Sequence, residues 1–564
     1  MKQFKKMKHK LIISIVAISL LSICGNKMFA QKNKRPNIIY IMTDDQSAIV
    51  PTKEDGNKIH LEGEKVQSHP FGFNGDKEVH TPIIDGLAKN GMIFNHAYVS
   101  SSVCSPSRYT MLTGRYAGRS EGPSFMKLHP YGKMTRVENN TELEMHRENL
   151  PRLLQKAGYK TGFVGKSHII DHHLLNQRKR KKLSDWKGEG LIGYDKSADP
   201  KSPDINKAMS LNHEFWKKEI KKYGFDYANG IYAANLRELF NDSLNVHNIE
   251  WKNKAALEFI DQAGDEPFFL YYSEMVPHGP APWVKKKGKY LYGLDANPKF
   301  TGEGYVDEEF ENMPSRKEIL EEVIAAGKDP DHAWLRWFDH AVGAVVKKLK
   351  EKGIYENTII VVTSDHGNYN LGKTTLYEGG IKVPLMIHWP NGIQPESTYD
   401  ELVQNIDFTP TFLDLAGVNL KKIDAVDGIS LKNVLAGSEK AVHDYLYFEL
   451  GFARGIRTKD WKYITVRYDE KAQKQIDNGV IFKGWNDHTY TLPYYTRNSH
   501  LGFHAAKLNP LYFDQNQLFD LKKDPTEKKN IFELNSKKSE EMKALLIKSL
   551  QSFPDRPYAE LVIN

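Results

Sequence analysis

Short, continuous apolar runs recur along this chain, and they limit its fold more than any other feature. They are rich in β-branched and aromatic side chains, which is typical of strands covered on both faces. The runs occupy residues 36–43, 161–164, 268–272, 358–362 and 383–387. Helical patterns lie between them, at about 148–158 and about 330–352. This alternation predicts an α/β fold with a large, doubly wound, mainly parallel sheet flanked by helices.

The length of the chain and a change of pattern near residue 440 predict more than one domain. The chain has 564 residues, which is long for a single domain. After about residue 440, short alternating segments such as 461–466 replace the continuous runs, and a polar helix pattern follows at about 536–551. We expect a large α/β domain over 31–438 and a smaller C-terminal α+β subdomain over 439–564.

The first thirty residues have the composition of an export signal. Five lysines lie within the first ten residues, and an apolar run follows at 11–23. This run fits a signal peptide and falls short of the roughly 18 residues that a membrane-spanning helix needs. We expect cleavage after Ala30 and an exported protein, periplasmic or secreted, without a transmembrane anchor. Lipid attachment at Cys24 is the alternative.

The formal net charge of +8 does not indicate a nucleic acid partner. Residues 1–30 contain six lysines and no acidic residue, so the chain without them carries +2. A chain this close to neutral lacks the basic character of nucleic-acid-binding proteins. The basic run RKRKK at 178–182 could attract a polyanion, but we interpret it as part of a solvated, Lys-rich insertion at 170–225.

Acidic residues follow two of the predicted strands. Asp44 and Asp45 end the first strand, and Asp365, followed by His366, ends another. Active sites of parallel sheets lie at the carboxyl ends of the strands, so we expect these side chains to converge. Converging carboxylates need protons or a cation, and oxygen ligands suit Ca²⁺ or Mg²⁺. Helix caps and turns are the alternative explanation, because Asp is common at both.

Cys104 and a set of cationic side chains are the other candidates for a site. Without residues 1–30, Cys104 is the only cysteine, so an internal disulfide cannot form. It stands four residues before Arg108 at the start of a predicted helix, a setting that activates thiols and makes a Cys–His hydrolase conceivable. A buried structural thiol is the alternative. Together with Arg108, further cations could form a pocket for a tetrahedral anion: Lys166, His168, His278 and Lys373.

The segment CSPSR at residues 104–108 resembles the C-x-P-S-R signature of type I sulfatases, members of the alkaline-phosphatase-like superfamily. Further segments resemble this family in the same order: TPIIDGL at 81–87, LTGRY at 112–116, GKSH at 165–168, TSDHG at 363–367, YEGGIKVP at 377–384 and QLFDL at 517–521. The resemblance covers about residues 36–535 and is to bacterial polysaccharide sulfatases in particular. It implies a sulfuric ester hydrolase whose catalytic domain has the alkaline-phosphatase-like fold.

The resemblance also implies a cofactor and a modification. A maturation enzyme would oxidise Cys104 to formylglycine (3-oxoalanine), and the hydrated aldehyde would attack sulfur and later expel sulfate. One Ca²⁺ would polarise the reacting group and neutralise the sulfate oxygens. Its ligands would be Asp44, Asp45, Asp365, His366 and the modified Cys104.

The resemblance assigns the cations to steps of the reaction. Arg108 and Lys166 would hold the charge of formylglycine and sulfate. His168 would take a proton during sulfate release. His278 and Lys373 would contact sulfate, and either could protonate the leaving oxygen. The chain departs from the usual family pattern at Ser167, where a bulky aromatic is common, and at His366, where Asn is common.

Export and family together predict a sulfated carbohydrate as substrate, either a polysaccharide or its oligosaccharides. Among sulfated carbohydrates, we expect algal polysaccharides such as ulvan, carrageenan or fucoidan first and glycosaminoglycans second. Candidate sugar contacts lie in a segment rich in Trp, Tyr and His, for which a packed aromatic cluster is the alternative: Trp485, His488, Arg497 and His500. A phosphodiester or phosphonate hydrolase of the same fold and a non-catalytic binder of sulfated glycans are the alternative functions.

Overall fold

The computed structural model describes most of the chain from Arg35 onward. The described residues are 35–50, 69–170, 190–236, 241–280, 282, 293–368, 372–480, 482–483, 489–490 and 510–563. No helix among them combines the length and the apolar character needed to cross a membrane. Several expectations fall outside these residues: the export signal at 1–30 with Cys24, the basic run at 178–182, and the sugar contacts Trp485, His488, Arg497 and His500.

The strands of the described chain follow one another as expected for a large α/β protein. In chain order they are β1 (Asn37–Asp44), β2 (Met92–Phe94), β3 (Ala97–Tyr98), β4 (Lys160–Lys166), β5 (Tyr227–Tyr232), β6 (Phe268–Pro277), β7 (Phe300–Thr301), β8 (Gly304–Tyr305), β9 (Thr358–Ser364), β10 (Leu385–His388), β11 (Ser397–Tyr399), β12 (Val403–Gln404), β13 (Leu446–Leu450), β14 (Ala453–Arg457), β15 (Trp461–Val466), β16 (Phe482–Lys483), β17 (Thr489–Tyr490) and β18 (Asn516–Asp520).

The helices lie mostly between these strands. In chain order they are α1 (Pro82–Lys89), α2 (Cys104–Thr113), α3 (Pro123–Leu128), α4 (Leu150–Lys156), α5 (Pro203–Lys221), α6 (Ile249–Gln262), α7 (Arg316–Ala325), α8 (Ala333–Glu351), α9 (Glu378–Ile381), α10 (Phe408–Leu415), α11 (Lys432–Leu435), α12 (Glu470–Asp477) and α13 (Ser536–Gln551). The predicted helices at 148–158, 330–352 and 536–551 correspond to α4, α8 and α13.

An eight-stranded sheet forms the centre, in the order β11-β2-β10-β9-β1-β6-β4-β5. The adjacent strands β9, β1, β6, β4 and β5 run parallel to one another. β10 runs antiparallel to both β9 and β2, which is why the sheet is only mainly parallel. The expected α/β fold with a large, mainly parallel sheet is therefore confirmed.

Strand β1 shows why the central strands are apolar along their whole length. Ile38 and Tyr40 enter one hydrophobic core, where the α4 and α10 side chains lie, whereas Ile39 and Ile41 enter the core on the α6 and α8 side. Alternate side chains of a strand point to opposite faces, so a strand covered by helices on both faces needs apolar residues throughout.

Strand β5, at the edge of the sheet, differs from the continuous apolar runs that predict the central strands. Its sequence, YANGIY, includes Asn229 and Gly230 and so lacks a continuous apolar run. Gly230 has a left-handed φ of 61°, near the point where the pairing of β4 with β5 shifts register. Helix α5, from the stretch interpreted as a solvated insertion, lies against β5 and buries Trp216 and Ile220. The described part of that stretch is therefore structured.

The C-terminal residues form a second, smaller unit around a four-stranded antiparallel sheet in the order β13-β14-β15-β18. Helix α13 covers it, with Met542, Leu546 and Leu550 in a core shared with Ile456 and Leu518. This is an α+β arrangement. The boundary at residue 438 stays a prediction.

A buried ionic network joins this unit to the large sheet. Glu378, at the start of α9, accepts bonds from Arg457 Nε at 3.0 Å and from Tyr98 Oη at 2.8 Å. Lys462 Nζ lies 2.7 Å from a carboxylate oxygen of Glu378 and 2.7 Å from one of Glu527. Arg457 and Lys462 thus compensate the two buried carboxylates, and removal of Lys462 would leave Glu527 without the cation that pairs with it.

We predict that Lys462→Met lowers the free energy of unfolding by about 3–5 kcal/mol, because two buried carboxylates then share too little positive charge. Lys459→Met is the matched control, since Lys459 forms a solvent-exposed pair with Glu401 and such pairs are worth about 0–1 kcal/mol. Urea denaturation followed by tryptophan fluorescence measures both. Equal losses in the two variants would contradict the assignment.

Candidate active site

The sheet brings the predicted acidic residues together at one edge. β1 and β9 are parallel neighbours, with Thr43 opposite Ser364. Asp44 is the last residue of β1, and Asp365 directly follows β9. The backbone N–H of Asp45 donates to Asp365 Oδ1 at 3.2 Å. The three carboxylates therefore converge, and all three residues are buried.

Cys104 lies beside these carboxylates as the first residue of helix α2. Its Sγ is 3.3 Å from His366 Nε2, 3.5 Å from Lys166 Nζ and 3.8 Å from Asp44 Oδ1. The residue is 2% exposed. Among the described residues it is the only free cysteine. A buried thiol facing an ammonium group, an imidazole and a carboxylate is unusual for a purely structural cysteine.

The donor atoms around Cys104 could hold a metal ion. Asp44, Cys104, Asp365 and His366 each offer one ligand atom, all within 4.8 Å of one another. Asp44, Asp45, Cys104 and His278 form a second, overlapping group. Among the residues that the structure describes, these are the only groups of this kind. Three carboxylates in one cluster favour a hard cation such as Ca²⁺.

His366 is oriented toward the cluster by its own loop. Its Nδ1 lies 2.9 Å from the carbonyl oxygen of Gly367, which can only accept, so Nδ1 carries a hydrogen. Nε2 consequently faces Asp45 Oδ1 at 3.4 Å and Asp365 Oδ1 at 3.6 Å. Burial lowers the pKa of His366, but the charges of Asp365 and Cys104 outweigh burial and raise this pKa to about 9.

Arg108 fixes the positions of two carboxylates. Its Nε and Nη2 donate to Asp365 Oδ2 at 3.1 and 2.9 Å, and Nη2 also donates to Asp44 Oδ2 at 2.8 Å. Nη1 donates to Lys166 O at 3.2 Å and to Ser273 Oγ at 2.5 Å. All five N–H groups of the guanidinium are therefore used within the protein. In this arrangement Arg108 orients Asp44 and Asp365.

The two lysines lie on either side of the carboxylate cluster. Lys166, the last residue of β4, places Nζ 2.5 Å from Asp44 Oδ2. Lys373 Nζ is 2.6 Å from Asp45 Oδ1. Burial lowers the pKa of each lysine, but the neighbouring negative groups together outweigh burial and raise the pKa, with Asp44 contributing most for Lys166 and Asp45 most for Lys373. Both lysines therefore stay protonated. Arg108 and the two lysines supply three positive charges against the three carboxylates, and a protonated His366 adds a fourth. A divalent cation would make the pocket more positive and suited to an anion.

His278 follows the end of β6, next to β1 in the sheet. Its Nδ1 lies 2.9 Å from the carbonyl oxygen of Gly279. The carbonyl can only accept a hydrogen bond, so Nδ1 carries a hydrogen and Nε2 is the nitrogen left for the pocket. Burial, followed by the charges of Lys166 and Lys373, lowers the pKa of His278 well below its usual value.

His168 is the remaining predicted residue, and the end of strand β5 holds its backbone. It follows β4 with a left-handed φ of 51°, and its N–H donates to the carbonyl of Ala233 at 3.2 Å. A positive φ in a non-glycine residue is uncommon and typical of functional sites. The residue is 6% exposed.

Three polar residues that the sequence analysis did not identify support the site. Ser273 Oγ accepts from Arg108, Ser107 Oγ donates to the carbonyl of Asp365, and Asn368 Nδ2 donates to the carbonyl of Asp45 at 3.2 Å. Ser273 directly follows the apolar run 268–272 of β6, and a polar residue at the end of such a run is the signal that could have identified it.

The sequence is similar to known sulfatases. The sequence matches the family model described as Sulfatase over residues 36–418. It also matches the model described as N-sulphoglucosamine sulphohydrolase, C-terminal, over residues 364–479. An N-acetylglucosamine-6-O-sulfatase of Bacteroides thetaiotaomicron is 26% identical, with 84% of this chain and 87% of the relative covered. An ulvan-active sulfatase of Formosa agariphila is 23% identical, with 92% and 80% covered.

Solved structures share the fold. A Bacteroides thetaiotaomicron protein from the metabolism of multiple glycosaminoglycans superimposes with a TM-score of 0.57 at 20% identity, covering 92% of this chain and all of that one. Ps i-CgsB in complex with k-i-k-neocarrahexaose gives 0.54 at 23% identity, covering 94% and 95%. The Sulfatase match spans more than half of the sequence, so the resemblance seen in the motifs is confirmed: the chain belongs to the sulfatase family and is a sulfuric ester hydrolase.

Proposed function

We propose that this protein is an exported, calcium-dependent sulfatase that removes sulfate from a sulfated polysaccharide or its oligosaccharides. The observation that carries the proposal is the position of Cys104, whose Sγ lies within 4 Å of Lys166, His366 and Asp44. A cysteine that a maturation enzyme converts to formylglycine needs to stand where a nucleophile meets both the metal and the anion.

Calcium and the modified cysteine have defined roles in this proposal. Asp44, Asp45, Asp365 and His366, with the modified Cys104, would hold Ca²⁺, which supplies Lewis acidity and neutralises negative charge. Formylglycine at position 104 would supply the nucleophile for the sulfur atom.

The remaining side chains bind the ester and move protons. Arg108 holds Asp44 and Asp365 in place, and Lys166 adds positive charge beside position 104. His278 and Lys373 contact the sulfate group, and either can protonate the leaving oxygen. A bound sulfate ester brings a negative charge close to His278. This charge raises the pKa of His278 and so opposes the effect of burial. His168 accepts a proton when sulfate is released.

The relatives support a sulfated carbohydrate as the substrate class. Their names include an N-acetylglucosamine-6-O-sulfatase and an ulvan-active sulfatase, and Ps i-CgsB was solved in complex with k-i-k-neocarrahexaose. The order of preference, algal polysaccharides such as ulvan, carrageenan or fucoidan before glycosaminoglycans, stays a prediction. Sulfate release from oligosaccharides of each type, measured by ion chromatography, tests it.

We predict that Cys104→Ala lowers kcat/KM on the best substrate of that screen by at least about 10³-fold, because the nucleophile is removed. Ser105→Ala is the matched control. Ser105 lies in the same turn of α2, and its hydroxyl has no hydrogen-bond partner among the described residues, so we expect activity within about threefold of wild type. Comparable activity of Cys104→Ala and wild type would rule out the proposed mechanism.

We predict that metal removal abolishes turnover and that Ca²⁺ restores it. Excess Ca²⁺ at about 100 times its Kd should also stabilise the metal-free protein by about 2.7 kcal/mol. Differential scanning fluorimetry with and without Ca²⁺ measures this shift, and Asp365→Asn should reduce it. If the chelated protein, shown to be metal-free by elemental analysis, kept full activity, calcium would have no role in catalysis.

A further inference from the structure

A buried histidine outside the candidate active site contacts the turn that carries His278. His247 lies just before Asn248, the residue whose side chain caps helix α6 by accepting from Trp251 N at 2.9 Å. His247 is 0% exposed. No motif of the family resemblance includes it, and the proposed mechanism does not use it.

The ring of His247 makes a directed hydrogen bond to this turn. Its Nε2 lies 2.7 Å from the carbonyl oxygen of Pro280. A carbonyl can only accept, so Nε2 carries the hydrogen. Burial and the charge of Lys252 lower the pKa of His247 to about 3, although hydrogen bonding to the carbonyls of Pro280 and His278 opposes this shift. The ring is therefore neutral at physiological pH and acts as a fixed donor.

The same turn determines the direction of the His278 ring. The backbone N–H of His278 donates to Met275 O at 2.8 Å, and its Nδ1 bonds the carbonyl of Gly279. A movement of residues 278–280 would therefore move the imidazole with the backbone. Gly279 is exposed, so solvent lies on the outer side of the turn and the bond from His247 holds it from the inner side.

His247 itself stands on a rigid support. Arg316 Nη2 donates to the carbonyl of His247 at 3.4 Å, and Arg316 Nε donates to Glu250 in the first turn of α6 at 2.9 Å. Lys252, also in α6, forms a fully buried ion pair with Glu274 of β6, the strand that leads to His278. The helix start and the strand end are thus tied at two points, His247 to Pro280 and Lys252 to Glu274.

We propose that His247 is a positioning residue for His278. The hydrogen bond from His247 Nε2–H to the Pro280 carbonyl holds the turn at 278–280 in place, and this turn determines where His278 Nε2 meets the sulfate ester. This inference rests on the proposed role of His278.

Two amide substitutions provide a matched test. The side-chain nitrogen of Gln can reach the place of the imidazole Nε2, whereas that of Asn reaches only the place of Nδ1. We expect His247→Asn to lower kcat/KM for 4-nitrophenyl sulfate on the order of 10- to 100-fold, as for the loss of other supporting hydrogen bonds around a site. His247→Gln should stay within about threefold of wild type. His247→Phe, which keeps the ring and removes the donor, is measured in parallel in case the Asn variant does not fold.

A double-mutant cycle separates positioning from general destabilisation. If His247 acts through His278, His247→Asn should cause little further loss in a His278→Ala background. The loss of kcat/KM in His247→Asn and the loss in His278→Ala should also change in parallel as the leaving group becomes poorer, from 4-nitrophenyl through 4-chlorophenyl to phenyl sulfate. Mass spectrometry of the peptide containing position 104 and the apparent melting temperature confirm that the variants are equally matured and folded.

The outcomes distinguish the two levels of the proposal. Additive losses in the double variant, or equal losses in the Gln and Asn variants, would overturn the role of His247 while leaving that of His278 intact. Wild-type activity of His278→Ala would instead overturn the proposed role of His278 itself.

Discussion

The site depends on the electrostatic balance between three buried carboxylates and the buried cations that surround them. Asp44, Asp45 and Asp365 would repel one another strongly without partners in an interior that excludes water. Arg108 uses its rigid, planar guanidinium to hold Asp44 and Asp365 together. Because Cys104 and Arg108 are four residues apart in α2, they project from the same face of the helix, and the group that fixes the acids also fixes the reactive position.

The parallel sheet supplies the rest of the geometry. Asp44, Lys166, His278 and Asp365 stand at or just after the carboxyl ends of the neighbouring strands β1, β4, β6 and β9, and therefore meet at one edge. The C-terminal unit holds the segment that follows Lys373, through the buried contacts of Glu378 with Lys462 and Arg457. The small domain therefore supports the active site as well as covering part of the core.

The sequence was most informative where a single physical rule decides the structure. Continuous apolar runs predicted the buried strands, and the charged residues directly after them predicted the edge at which Asp44 and Asp365 meet. His247 could not be predicted, because its contact depends on a turn far away in the chain. Strand β5 was missed because Asn229 and Gly230 interrupt its apolar pattern. The buried ion pair of Lys462 and Glu527 has no signature in the sequence, because the burial of two charged residues depends on how the folded chain packs.

The central claim is that Cys104 becomes the nucleophile of a sulfatase. Mass spectrometry of the tryptic peptide containing position 104, from protein produced in its native host, tests this claim most directly. The account predicts a peptide about 18 Da lighter than the thiol form, the difference between CH₂SH and CHO. A peptide carrying only the free thiol, from a host with the maturation enzyme, would contradict it.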